Sequence, residues 1–521
     1  SSSAAQEKKA ASKPLSLPAM GVLGSLWLAV RLAGRLIELA WLYLPLLPLL
    51  PLALLADLIL QFARPGNKWY EAWFELFLRN VQHSGPVFVK LGQWAATRPD
   101  FVPETWCIAL KQLQDRTQPH SLAHTHRILD SSFGRAEWSS HLLIEPDPIG
   151  SGCIAQVYKG LLQTQVKRKV PSSSRCGLGG ILLLLGLRKQ PPPTGVMQGG
   201  PTAKVAIKVI HPQVRRAIEL DLIFLRVLAT LGDNMGLERL GLPFALRQFA
   251  AFLVDQADFR TEANNLKKFR ANYRSWSESV IFPQVYDRWV TENVMAMSFE
   301  EGNSLKGLLD AKPADSEGVA IRHDIWRKLL DSYFAMIFKY KFVHGDLHPG
   351  NVLWRPAEDG TSRAQIILLD VGLAIDISGE MGEDFKMMVQ ALLSKPEEEV
   401  AEMLMGLAER VGGKKEDVVD PQGFVKGIAA LIREAKGYAL KLSKFNATEL
   451  MVKSLLLGRK HCVRFDARFV NLLVSMVVIQ GVALNLNPDG DLLTRMSPYL
   501  FGAALSEVTK LGGSEKEAKK M

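Results

Sequence analysis

The stretch His344-Gly345-Asp346-Leu347-His348-Pro349-Gly350-Asn351, followed by Leu368-Leu369-Asp370-Val371-Gly372, decides how this chain is read. An Asp with an Asn five residues on, and a later Asp in a tight turn, is what a phosphoryl-transfer site requires. The first carboxylate orients the nucleophile's proton. The Asn and the second Asp offer hard oxygen ligands to Mg2+ beside the β- and γ-phosphates. Asp346, Asn351 and Asp370 keep those types in that order. The alternative is zinc, because His344, Asp346 and His348 alternate at two-residue spacing and would share one face of a strand. The upstream residues favour phosphoryl transfer, since they supply further parts of a nucleotide site in the right order.

The first such part is Pro148-Ile149-Gly150-Ser151-Gly152-Cys153-Ile154-Ala155-Gln156-Val157-Tyr158, a glycine-rich turn entering a β-like segment. Glycines let backbone N–H groups approach phosphates closely, so Gly150, Ser151, Gly152 and Val157 are candidate nucleotide contacts. The second is Val205-Ala206-Ile207-Lys208-Val209, a β-branched strand whose Lys208 would hold the α- and β-phosphates. Ile281 to Tyr286 and Asn293 to Ser298 read as two further strands, the second forming the hinge beside adenine with Met297 in it. Ile325 to Tyr340 reads as an amphipathic helix beneath the catalytic loop. No A-P-E signature follows Gly372. The chain returns instead to helices over Glu383 to Leu393 and Glu397 to Val411, which argues against a platform for a substrate peptide.

Composition bounds the rest. At 521 residues the chain exceeds one ordinary core, and 48% hydrophobic residues with mean hydropathy just above zero place it between soluble and membrane-attached enzymes. A net charge of +10 suits an anionic partner such as nucleotide or acidic lipid headgroups; nucleic acid is not expected. Cys107, Cys153, Cys176 and Cys462 are scattered, without the pairing of a disulfide framework. Residues 1 to 20, rich in Ser, Ala and Lys with Glu7 as the single acid, resemble the remnant or flank of a mitochondrial transit peptide, although they lack Arg and a plain disordered tail would read the same. Leu39 to Ala56 has no charge, and as a straight helix it would almost match a bilayer's hydrocarbon core. Pro45, Pro48 and Pro51 favour a kinked span, a re-entrant hairpin or an interfacial segment, with a soluble apolar linker as the alternative. Gln163 to Lys204 is a low-complexity insertion within a hairpin, expected to be disordered. Phe469 to Leu486 is apolar enough to span a membrane and is read as buried core.

Trp69 to Leu78 is helix-like, and leads into Gly85-Pro86-Val87-Phe88-Val89-Lys90-Leu91-Gly92-Gln93. Lys-x-Gly-Gln ahead of the motifs above resembles the aarF-domain or UbiB group of atypical kinases, from about Gly85 to about Tyr499. The resemblance implies an α+β, two-lobed protein-kinase-like fold, with an N-terminal helical extension carrying the Lys-x-Gly-Gln motif and a membrane segment. It makes Lys90 and Gln93 active-site residues, on a helix folded over the cleft. It also makes Glu262 the partner of Lys208, and Asp258, in the sequence Gln256-x-Asp258, the acid facing Lys90. The family has Glu where Gln256 stands and an alanine-rich loop where Gly150 and Gly152 stand; the second departure reopens protein-kinase activity. The implied cofactors are ATP and Mg2+. The implied partners are a membrane lipid or polyprenyl-quinone intermediate and coenzyme Q biosynthesis proteins, at the mitochondrial inner membrane. Small-molecule phosphotransferase and lipid-binding scaffold are the other classes. The expected division is residues 1–64 for targeting and membrane association, 65–145 for the extension, 146–300 for the N-lobe and 301–521 for the helical C-lobe.

Overall fold

Alternating side chains along Leu142–Gln163 and Thr202–Ile210 build the sheet that positions the site. In the computed structural model, which describes most of residues 22–49, 68–163, 202–311, 316–357, 364–410, 418–439 and 447–501, β1 (Leu142–Ser151), β2 (Ala155–Gln163) and β3 (Thr202–Ile210) are antiparallel neighbours. β6 (Val294–Ser298) and β5 (Val285–Val290) complete a five-stranded sheet in the order β1-β2-β3-β6-β5. Strand residues face opposite sides in turn. Tyr158, Val205, Ile207, Val209, Val294 and Ala296 therefore pack one face against Leu129 and Trp138. Ala155, Ala206, Met295 and Met297 turn the other face to the main core.

The helices divide around this sheet. The N-terminal extension comprises α1 (Val22–Tyr43), α2 (Lys68–His83), α3 (Pro86–Ala95), α4 (Glu104–Leu110), α5 (Leu122–Phe133) and α6 (Arg135–His141). Within the N-lobe, α7 (Val214–Asn234) follows β3, and α8 (Phe259–Asn272) packs beneath the sheet. The C-lobe holds α9 (Leu305–Asp310) and α10 (Ser316–Phe334), then α11 (Glu380–Ser394), α12 (Glu397–Arg410), α13 (Pro421–Ala439), α14 (Ala447–Lys460), α15 (Ala467–Leu486) and α16 (Leu492–Phe501). Its short strands form a four-stranded sheet, β4-β10-β9-β7, and the pair β11-β8. In chain order these are β4 (Val280–Ile281), β7 (Asn303–Ser304), β8 (Phe342–His344), β9 (Val352–Pro356), β10 (Ala364–Leu368) and β11 (Ala374–Asp376). The architecture is α+β, two-lobed and kinase-like, as expected.

Several local expectations change. Ile281 to Tyr286 is not one strand: β4 pairs in parallel with β10, while β5 joins the upper sheet. Pro283, without an N–H to give to a ladder, lies between them. The helix beneath the catalytic loop starts at Ser316 and ends in a single π-helical turn, Ala335–Lys339. Over its described residues, 39–49, the apolar run departs from a straight helix at its first proline, in keeping with the reading of its prolines. The α-helix lies earlier, at Val22–Tyr43, and passes into a 3-10 segment, Leu44–Leu49, at Pro45, whose ring clashes with a continuing α-helix. Residues 50–56 of that run, the targeting stretch and the body of the insertion lie outside the described residues. β2 and β3 pair antiparallel to their ends, with Gln163 opposite Thr202. Arg468–Leu486 is the one described helix long and apolar enough to cross a membrane, and half of it is buried. It packs on α10, with Tyr333 and Ser475 hydrogen-bonded at 2.6 Å, as a core helix would.

Candidate functional site

Lys208 stands on β3 between Val157 of β2 and Met295 of β6. Its ammonium donates to both oxygens of Glu262 on α8 at 2.9 Å and lies 3.2 Å from Asp370. Burial disfavours its charge, but Asp370 and then Glu262 outweigh burial and raise its pKa. Burial pushes Glu262 up to about 7 against the pull of Lys208, with the charge of Asp370 adding to the rise. Both Glu262 oxygens accept from the ammonium. Asp370 is densely surrounded, yet its side chain stays 52% exposed to the cleft. Burial acts upward on it, and Lys208 and Lys90 prevail, holding it below the usual carboxylate range. Its φ of +47° lies in the left-handed region, which Asp tolerates better than most residues.

The catalytic loop is tied to the strand before Asp370. The buried His344 donates from Nε2 to the Leu369 carbonyl at 2.9 Å and accepts the Asp346 N–H at Nδ1, 3.2 Å away. Burial lowers its pKa, and both ring nitrogens are committed within the loop. The zinc alternative fails on this geometry: among the described residues no group of three His, Cys, Asp or Glu side chains is placed to hold a metal. Asn351 donates its amide to the Asp346 carbonyl at 2.9 Å, and Leu369 N–H donates to the Asn351 carbonyl at 2.8 Å. These bonds bring Asn351 beside Asp370 and leave the Asn351 side-chain oxygen available. Two protein oxygens facing an open cleft suit Mg2+, which takes its remaining ligands from phosphates and water. The Asp346 carboxylate is half-exposed in the same cleft, 4.0 Å from His348.

Above Lys208, Gly150 opposes Val157 and Ser151 opposes Gln156, and the turn closes with Gly152 N–H donating to the Ala155 carbonyl at 2.8 Å. A Cβ built on Gly150 meets nothing within 4 Å, and one on Gly152 meets only that carbonyl, at 3.7 Å. Neither glycine has a positive φ. The fold itself therefore tolerates a methyl group here, and the open space over the turn is a cradle suited to phosphate oxygens. Met297, on β6 opposite Ala206 and Val285, is buried in the sheet.

The Lys-x-Gly-Gln helix has two faces. A Cβ on Gly92 would come closer to Leu113 Cδ1 than real Cβ atoms come, with Leu110 at 3.5 Å and Val81 at 3.7 Å, so glycine here permits close packing. Gln93 donates to the Leu113 carbonyl at 3.1 Å. Phe88 and Trp94 pack against Phe224 and Phe249 of the N-lobe. Lys90, on the other face, contributes to the electrostatics of Asp370 and of Cys153 in the glycine turn, so it lies at the cleft. The structure thus brings Lys90 to Asp370, while Gln93 serves the docking face. Asp258 caps α8 through Arg260 N–H and holds the Arg260 guanidinium at 2.7 to 3.0 Å. Its pKa falls chiefly through that hydrogen bond. Gln256 keeps a buried side-chain oxygen without a hydrogen-bond partner.

Comparison with known proteins agrees with this geometry. Residues 195–404 match the family described as the ABC1 atypical kinase-like domain. The chain carries an ABC1 atypical kinase-like domain. A mitochondrial ABC1 family protein of Schizosaccharomyces pombe is 27% identical over 83% of this chain and 66% of its own length. A Dictyostelium discoideum protein named as a probable serine/threonine-protein kinase is 25% identical over 84% of this chain and 65% of its own. The Cellvibrio japonicus protein named "Probable protein kinase UbiB" is 24% identical over 82% of this chain and 68% of its own. The chain thus spans just under two thirds of the length of the first two. A Mycobacterium tuberculosis protein solved with erythromycin aligns at 18% identity and a TM-score of 0.40 over 81% of this chain and 92% of its own, too low to bear on the argument.

The ABC1 match holds Lys208, Glu262, Asp346, Asn351 and Asp370, whereas Lys90 and the glycine turn precede it. Sequence reasoning missed the supports of this site. Asn265 donates to the Val371 carbonyl at 3.0 Å, so the helix that bears Glu262 also holds the turn after Asp370. Its spacing of three from Glu262, one helical turn, was the available signal. His120 and His211 gave no signal, because the loop and strand that carry them are far apart in sequence.

Proposed function

We propose that this chain binds Mg-ATP between its lobes and hydrolyses it or transfers its γ-phosphoryl group, in support of coenzyme Q biosynthesis or related lipid metabolism at the mitochondrial inner membrane. The observation that carries the reading is the Lys208–Glu262–Asp370 cluster, in which one ammonium is held by two carboxylates at the mouth of the cleft. Lys208 would hold the α- and β-phosphates, and the backbone of the Gly150–Gly152 turn would cover them. Asp370 and the Asn351 side-chain oxygen would hold Mg2+, whose charge would offset that developing on the phosphates. Asp346 takes the proton from a water or hydroxyl nucleophile as its oxygen bonds to the γ-phosphorus and the bond to the β-phosphate oxygen breaks, releasing ADP. The pathway and location draw on relatives named as mitochondrial ABC1 proteins and as UbiB.

A protein-kinase reading has one specific support, the cradle left by Gly150 and Gly152. Against it, the segment after Gly372 pairs at once as β11 with β8 and enters α11 at Glu380, leaving little chain to form a peptide platform. The discriminating experiment measures ATP turnover by purified protein with Mg2+, with and without anionic liposomes, following free phosphate and phosphorylated products. Phosphate release that disappears in Asp370→Asn and rises with liposomes supports the proposal. Phosphoprotein without free phosphate supports the kinase reading. Absence of nucleotide binding under both conditions refutes both.

A further inference from the structure

A chain of hydrogen bonds runs from the helical extension to the glycine turn. His211, directly after β3 and three residues beyond Lys208, grips the turn on two sides. Its backbone N–H donates to the Ile154 carbonyl at 2.9 Å, and its ring Nε2 lies 2.8 Å from the Gly152 carbonyl. Its Nδ1 meets Nδ1 of His120 at 2.7 Å. His120 Nε2 is 2.8 Å from the Thr125 hydroxyl, which is 2.8 Å from the Tyr158 hydroxyl. Gln156 donates to that phenol and, at 3.1 Å, to the His120 carbonyl, while its own oxygen accepts the His120 N–H at 2.9 Å. Thr125, Gln156 and Tyr158 are fully buried, and His211 is buried as well.

The acceptors fix the proton positions. A carbonyl can only accept, so His211 carries its proton on Nε2 and, as a neutral ring, accepts at Nδ1. His120 must then donate from Nδ1 and accept at Nε2 from Thr125. Thr125 in turn accepts from Tyr158, and Tyr158 from Gln156. Along the side-chain relay Gln156–Tyr158–Thr125–His120–His211, each donor points toward Gly152. Burial first, then neighbouring histidine charge, lowers His120 to about 4, and burial lowers His211, so both rings stay neutral near pH 7.

We infer that His211, held in one tautomer and orientation by His120 and Thr125, is a positioning residue that sets the height of the Gly150–Gly152 turn over the phosphates of a bound nucleotide. This rests on the ATP reading above. Because the anchor acts on the phosphate cover and not on the hinge, its loss acts on phosphates selectively. Adenosine, which has no phosphates, provides the internal control.

The test measures the affinities of full-length protein for Mg-AMP-PNP and for adenosine in the wild type, His211→Phe and Thr125→Val, with hydrogen exchange of the peptide around residues 150–157 in the same samples. Thr125→Val is close to isosteric and removes the hydroxyl link at a distance from the turn. The expected result is a fall of about tenfold in the AMP-PNP to adenosine affinity ratio in both variants, the size expected for one buried hydrogen bond. Faster exchange at the turn should accompany it. If His211→Phe does not fold, Thr125→Val alone decides. An unchanged ratio in a folded variant overturns the inference while leaving the ATP reading standing. A wild type that binds neither probe overturns both.

Discussion

Gly92→Ala tests whether the Lys90 helix is seated as the structure shows. The added methyl would press on Leu113 Cδ1, and Leu110 at 3.5 Å and Val81 at 3.7 Å leave little room for escape. Leu113 is itself buried, so its side chain cannot swing into solvent. Overpacking of this kind costs roughly 1–3 kcal/mol. Replacing a helical glycine with alanine gives back about 0.5–1 kcal/mol of helix propensity. The net expectation is a loss of roughly 0.5–2 kcal/mol. Leu113→Ala removes the obstacle, although by itself it costs on the order of 2–5 kcal/mol. In that background Gly92→Ala should change sign and stabilise by about 0.5–1 kcal/mol. Denaturation followed by tryptophan fluorescence, on wild type, both single variants and the double variant, closes the cycle. A coupling of roughly 1–3 kcal/mol is expected. Additivity within about 0.5 kcal/mol would mean that the two residues do not touch, and would refute the seating of this helix.

Glu262→Gln should keep the shape of the Lys208 contact but remove one of its two balancing charges, lowering nucleotide turnover by tenfold or more in a steady-state assay. Unchanged turnover would remove Glu262 from the site. The Arg35 guanidinium of α1 pairs with the fully buried Asp221 of α7 at 2.8 Å and also reaches the Ser84 carbonyl just before the Lys90 helix. Arg35→Ala should therefore cost about 3–5 kcal/mol, much of it restored in Arg35→Met/Asp221→Leu, as read by thermal melting. His120 faces His211, His124 and, through His124, Arg127. Its folded pKa, about 4, lies below the ordinary 6.5. The stability it contributes is thus present above pH 6.5 and is lost as pH falls toward 4, by at most about 3 kcal/mol. The melting difference between His120→Asn and wild type should shrink over that window, and a difference independent of pH would show that His120 titrates normally.

The catalytic half of this site was legible because its chemistry sits in short, contiguous motifs. Asp346, Asn351 and Asp370 lie on one loop and one turn, and Lys208 on a strand whose alternation is plain. Glu262 was legible only through resemblance, since one acid on a helix carries no mark of what it faces. The β4–β5 break was missed because Pro283 was not weighed as a strand breaker, and a parallel partner 86 residues away, Ile366 opposite Val280, is invisible locally. The role of Gly92 was obscured for the same reason. A glycine inside a helix reads as a weakness until the 3-10 turn at Lys111–Gln114 is seen pressed against it. The pairing of Asp258 with Arg260, two residues on, was available in the sequence, but N-cap chemistry was not weighed against a long-range partner.

The cleft is furnished from both sides by residues that precede the ABC1 match. α3 brings the charge of Lys90 to Asp370, and the loop before α5 brings His120 to the anchor of the glycine turn. β2, the partner of β3 on the side opposite β6, and β1 beyond it also precede residue 195. A fragment limited to residues 195–404 would leave β3 as an exposed edge, with Ile207 and Val209 stripped of Tyr158, Leu129 and Trp138. Edge strands of that kind pair with other chains. Such a fragment should aggregate and fail to retain Mg-AMP-PNP, whereas one beginning at Val22, which keeps Arg35 on the buried Asp221, should retain it. If residues 195–404 alone stayed monomeric and bound nucleotide with the affinity of the full chain, the extension would be an appendage. The charge of Lys90 acting on Asp370 and the contacts of His120 argue that it is part of the site.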